Sequence, residues 1–104
     1  MKHLNVLIPP MVQEQIRSQV FYIARDSIDN ALAWEDRLLA AISALGSTPD
    51  YTIDEEASRR LGEIIHKYVF EKTYFIHYRI EDERGTLDIV NFRHGARLPR
   101  MGEP

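Results

Sequence analysis

The chain has 104 residues, 44% hydrophobic and 28% charged, which is the balance of one small globular domain spanning 1–104 and not of a disordered tail. It has no cysteine, which excludes disulfides, thiolate metal sites and cysteine nucleophiles and fits a reducing cytoplasm. The formal net charge of −3 suits a nucleic-acid binder poorly, but the charge is segregated: acidic residues gather at 26–36, 50–56 and 81–83, basic ones at 59–72 and 93–100.

Residues 3–8 alternate, with Leu4, Val6 and Ile8 on one face, and predict a short strand ended by Pro9 and Pro10. No signal-peptide layout is present, since the apolar stretch stops at Pro9, and no run is long enough to span a bilayer. Residues 11–26 place Val12, Ile16, Val20 and Ile23 at helical spacing. Residues 30–45 do the same with Ala31, Trp34, Leu38, Ile42 and Leu45. Asp29 is the expected N-cap of this second helix, and Gly46 the expected left-handed residue at its end. The short link between the two predicts an antiparallel helical hairpin. Residues 47–61 are polar and without clear period, and read mostly as loop, with a possible helical turn at 55–60.

Three strands are expected next, over 63–70, 73–80 and 86–93, joined by tight links at Glu71-Lys72 and around 82–85. In the last of them Leu87 and Ile89 conflict in phase with Val90 and Phe92. Either a bulge switches the faces or the strand is central and covered on both sides. The order predicts an α+β domain: an N-terminal strand, a helical hairpin, then a three-strand antiparallel meander, with the hairpin packed on one face of the sheet.

The last strand ends in a basic tip, Arg93, His94 and Arg97 around Gly95, with Arg100 beyond. Arginine is favoured at interface hot spots. A bland alternative for Arg97 is pairing with Asp88 or Glu63, a weak surface interaction. His94 suits a hydrogen-bonded strand end or an acid catalyst. His3, His66 and His77 are scattered without metal-ligand spacing, and His77 reads as structural. Trp34 reads as core, and Tyr68, Tyr74 and Tyr78 as ordinary strand residues by propensity. No metal and no cofactor are expected.

Four segments together resemble the RelE/ParE toxin superfamily of bacterial toxin–antitoxin systems: the run from Gln19 to Asp26, the helix from Ala31 to Gly46, the strand from Tyr74 to Ile80, and the ending from Val90 to Pro99. The His-Gly-Ala-Arg run at 94–97 is similar to the ParE side. The resemblance implies a small cytoplasmic toxin neutralised by a cognate antitoxin. It implies one of two activities, inhibition of DNA gyrase or ribosome-dependent cleavage of mRNA; a diverged, inactive antitoxin-binding member is a third possibility.

Metal-free RNA cleavage needs a base, phosphate-stabilising cations and an acid. Lys72, Arg93 and His94 are the candidates for that set, provided they converge on one face. Against it, no aromatic residue follows Arg97, and the net charge is acidic. Gyrase inhibition needs only a rigid binding surface, for which Arg93, His94, Arg97 and Arg100 are the candidates. Met11, Ile16, Val20 and Phe21 exceed what a small sheet obviously covers and are the expected antitoxin contact; self-association is left open.

Overall fold

The computed structural model describes residues 3–95. Among them the elements run β1 (Asn5–Leu7), α1 (Pro10–Ala24), α2 (Ile28–Leu45), α3 (Glu55–Leu61), β2 (His66–Phe70), β3 (Tyr74–Glu81) and β4 (Thr86–His94). The sheet order is β1-β4-β3-β2. β2, β3 and β4 form the expected antiparallel meander, and β1 adds to β4 in parallel. The helical hairpin covers one face, so the α+β expectation holds.

The apolar stripes explain that packing. Val12 and Ile16 of α1, Trp34, Leu38 and Ile42 of α2, and Ile76, Tyr78, Leu87, Ile89 and Phe92 of the sheet share one buried cluster. Trp34 sits at its centre, with ring centroids 6.3 Å from Phe70, 5.1 Å from Tyr74 and 6.0 Å from Phe92. Leu4 is buried in the same cluster and Val6 and Ile8 pack against it, as the alternation of β1 requires.

Both phase readings of β4 apply. It is central, between β1 and β3, and it carries a bulge. His77 faces Asn91 while Tyr78 faces Ile89, leaving Val90 as the extra residue. The slip returns Phe92 to the same face as Leu87 and Ile89.

Four local expectations are corrected. The cap of α2 is Ser27, whose hydroxyl accepts from the Asn30 N–H at 3.1 Å. Asp29 lies instead in the first turn, where a carboxylate complements the helix dipole. Gly46 is right-handed, with φ −63°. Its requirement is space: a Cβ there would stand 2.5 Å from the Leu4 carbonyl oxygen. The Leu4 N–H donates to the Gly46 carbonyl at 2.8 Å, so the bare backbone of residue 46 straps β1 to the end of α2. Residues 55–61 form a helix, α3, because Asp54 caps it through the Ala57 N–H at 3.0 Å and Gly62 ends it at φ +71°. The strand expected from residue 63 begins at His66, since the residues before it lead out of α3.

The β2–β3 link is three residues, 71–73, of which the first two are left-handed, Glu71 at φ +49° and Lys72 at φ +62°. The left-handed backbone is unfavourable for side chains other than glycine or asparagine. Glu71 is held there by Arg37 of α2, 2.7 Å away.

Candidate functional site

The basic tip comes together only in part. Strand alternation sends neighbouring side chains to opposite faces. His94 lies on the hairpin side, edge-on to the Tyr74 ring at 5.0 Å. Arg93, directly across from Phe75, faces the other side, where it lines cavities with Arg60 and His77. Lys72 is exposed in the β2–β3 turn. The turn and the end of β4 meet through the Gly95 N–H, which donates to the Thr73 carbonyl at 2.7 Å. Lys72, Arg93 and His94 thus share one end of the sheet; Arg93 and His94 alternate along β4 yet both border the groove beside α1, and Lys72 does not. Arg97 and Arg100 lie outside the described residues. The acidic partners considered for Arg97 are engaged by Arg79, whose guanidinium lies 2.5 Å from Glu63 and 3.9 Å from Asp88.

On the hairpin side, His94 borders a groove of about 550 Å³ between α1 and the end of β4. Met11, Glu14, Gln15, Ser18, Phe92 and Arg93 line it with His94. The groove exists because β1 pairs with β4 only as far as Asp88. Beyond that point Gln15 takes the place of a neighbouring strand. Its Oε1 accepts from the Phe92 N–H at 2.9 Å and its Nε2 donates to Asn91 Oδ1 at 3.0 Å. Gln19, buried below, donates to the Tyr74 hydroxyl at 3.2 Å. Of the apolar residues expected at the antitoxin contact, Met11 and Phe21 are 59% and 66% exposed. Ile16 is buried, and Val20 packs on the core, because their spacing places them on the helix face that meets the sheet.

On the opposite face α3 is fastened to the sheet. His77, which is buried, has Nε2 at 2.8 Å from Asp54 Oδ2, and Asn91 Nδ2 lies 3.4 Å from its Nδ1. Asp54 therefore caps α3 and ties it to β3. The Ala57 N–H, with the His77 hydrogen bond added, holds the Asp54 carboxyl below its ordinary value against the opposing effect of burial. A hydrogen bond from Thr52 lowers Asp50 likewise. Tyr78 donates to the Asp50 carbonyl, and burial pushes its phenol well above the usual range.

A depressed folded pKa contributes stability that is complete above the unfolded pKa and lost as pH falls through the folded one. Stability is therefore expected to fall with acid below about pH 4. Asp54→Asn should shrink that loss and leave the share due to Asp50, measured as urea midpoints across the acid range. An acid dependence identical to the parent's would contradict this role for Asp54.

Neither Gln15 nor the Asp54–His77 pair stands out in the sequence, because their partners lie 23 or more positions away. Among the described residues no group of three or more His, Cys, Asp or Glu side chains is placed to hold a metal. No described helix is long and apolar enough to cross a membrane.

A helical hairpin packed on a four-stranded sheet whose last strand ends in Arg93 and His94 is an α+β domain with a basic strand tip. The chain matches the family of the ParE toxin of the type II toxin–antitoxin system parDE over residues 6–99, and it belongs to that family. Comparison with curated proteins returned no match. Family membership makes it the toxin partner of an antitoxin.

Proposed function

We propose that this toxin acts in the cytoplasm by inhibiting DNA gyrase, and that a cognate antitoxin neutralises it. The observation that carries the reading is the division of the tip. Arg93 and His94 both border the groove beside α1, but Lys72 sits apart from it in the β2–β3 turn, so the RNA-cleaving set of Lys72, Arg93 and His94 does not line one site. A surface that binds and holds a partner needs no such convergence; it needs contacts that differ between the partner's states. Arg93, Arg97 and Arg100 are the residues assigned to gyrase. The antitoxin is assigned to the groove beside Met11 and His94, with Phe21 at its margin.

Expression in bacterial cells should induce the DNA-damage response while mRNA stays intact. Arg97→Ala is expected to weaken inhibition about thirtyfold, the effect of losing one interface hot spot, while the purified variant keeps its melting temperature. Rapid mRNA loss without a damage response, or an Arg97→Ala variant as toxic as the parent, would overturn the reading.

A further inference from the structure

Gln15 in the groove beside α1 and Asp54 at the head of α3 lie on opposite faces of the sheet, yet one run of hydrogen bonds joins them. The Phe92 N–H donates to Gln15 Oε1 at 2.9 Å, and Gln15 Nε2 donates to Asn91 Oδ1 at 3.0 Å. Asn91 Nδ2 lies 3.4 Å from His77 Nδ1, and His77 Nε2 lies 2.8 Å from Asp54 Oδ2. Asp54 Oδ1 accepts from the Ala57 N–H at 3.0 Å. The run passes round the edge of β4 that β1 leaves open beyond Asp88, and it crosses to β3 where Asn91 stands opposite His77.

The two ends of the run fix the direction of every bond in it. A backbone N–H only donates, and a carboxylate only accepts. Gln15 must therefore turn its oxygen to Phe92 and its nitrogen to Asn91. Asn91 must turn its oxygen to Gln15 and its nitrogen to His77. His77 must accept at Nδ1 and donate from Nε2, so a residue on the far side of the sheet selects its tautomer. Reversing either amide sets donor against donor or acceptor against acceptor at both of its neighbours. That leaves polar groups unsatisfied in a partly buried place.

From this arrangement we infer that antitoxin binding in the groove is coupled to the docking of α3 on the opposite face, with Gln15, Asn91, His77 and Asp54 as the positioning residues. Gln15 forms part of the groove wall. The run holds its side chain in one conformation before any partner arrives, which lowers the ordering cost of binding. Where Asp54 no longer holds His77, Asn91 and Gln15 lose their fixed direction, and the wall loses its order. The two states are the aligned run with α3 docked and the broken run with α3 loosened. A partner that favours the first is coupled to α3 in both directions. The inference rests on the assignment of the antitoxin to this groove, and it adds control of that seat from the other face.

The test joins a spectroscopic reading of His77 in the free toxin to titrations with the antitoxin of its own system. Nitrogen NMR of the ring should place the proton on Nε2 in the parent. Gln15→Glu keeps the acceptor for Phe92 but offers no donor to Asn91, so Asn91 must turn over and a proton should appear on His77 Nδ1. A parent ring that carries a proton on Nδ1, or a His77 signal unmoved by Gln15→Glu, would overturn the run. Asp54→Asn, a change on the face away from the groove, should weaken antitoxin binding about fivefold or more. Asn91→Ala cuts the same run without touching the cap of α3 and should do likewise. Melting temperatures report the folding of each variant, and unchanged affinity in the folded variants would overturn the coupling. Met11→Ala alters the groove outside the run, so it should weaken antitoxin binding and leave the His77 signal as in the parent. Undiminished affinity in Met11→Ala would remove the antitoxin from the groove and the coupling with it. An unmoved His77 signal overturns the coupling and leaves the seat standing, so the two failures are read separately.

Discussion

Replacing Trp34 with alanine is expected to remove about 3–5 kcal/mol of stability, the range for deleting a large buried aromatic side chain. Trp34 contacts Phe70, Tyr74 and Phe92 at once, so it couples α2 to β2, β3 and β4. For a domain whose total stability is of order 5–15 kcal/mol, that loss leaves a substantial unfolded population. Trp34→Phe should cost far less. The indole Nε1 is buried without a hydrogen-bond partner, so removing it relieves an unsatisfied donor while most of the ring contact remains. Urea unfolding of the two variants gives the comparison; equal losses would show that Trp34 does not organise the core as described. A partner that binds the folded toxin in preference to the unfolded chain stabilises it by mass action, so added antitoxin is expected to raise the apparent stability of Trp34→Ala.

The second large effect is expected at Gly46. Gly46→Ala places a Cβ against the Leu4 carbonyl oxygen, backbone that cannot rotate away, and near Val6 Cγ2 at 3.1 Å. β1 must shift, with an expected loss of about 1–3 kcal/mol, as for other overpacked sites. Gly62→Ala is the control. It meets nothing within 4 Å, and its cost should be limited to the left-handed backbone, about 1 kcal/mol. Thermal or urea unfolding distinguishes them, and a loss at Gly62 larger than at Gly46 would contradict the strapping of β1 to α2.

Gly46 also shows where sequence reading reaches its limit. A glycine after an amphipathic helix fits a left-handed cap, and the neighbour that gives it another reason is Leu4, more than forty positions earlier. Periodicity revealed β1, both long helices and the meander, because each spans enough residues to repeat its apolar spacing. α3 spans seven residues, too few for a period to emerge. Its signals are Asp54, the acidic first turn, the basic last turn and Gly62. The phase conflict at Val90 was visible, yet choosing its cause requires knowing which strands flank β4.

The candidate site divides in the same way. The basic composition of the tip is written locally in Arg93 and His94, and so is their separation, which follows from alternation along one strand. The groove behind His94 is not local. It depends on β1 stopping opposite Asp88 and on Gln15 reaching the backbone of Phe92. The run from Gln15 to Asp54 likewise requires α3 to fold onto β3 through the Asp54–His77 bond.

The central claim, that the toxin inhibits gyrase and does not cleave RNA, is tested most directly with purified gyrase and supercoiled plasmid. Added toxin is expected to block supercoiling or trap cleaved DNA in a dose-dependent manner, and antitoxin should reverse the effect. Unaffected gyrase at saturating toxin, together with mRNA cleavage by the same preparation in a translation reaction, would contradict the account.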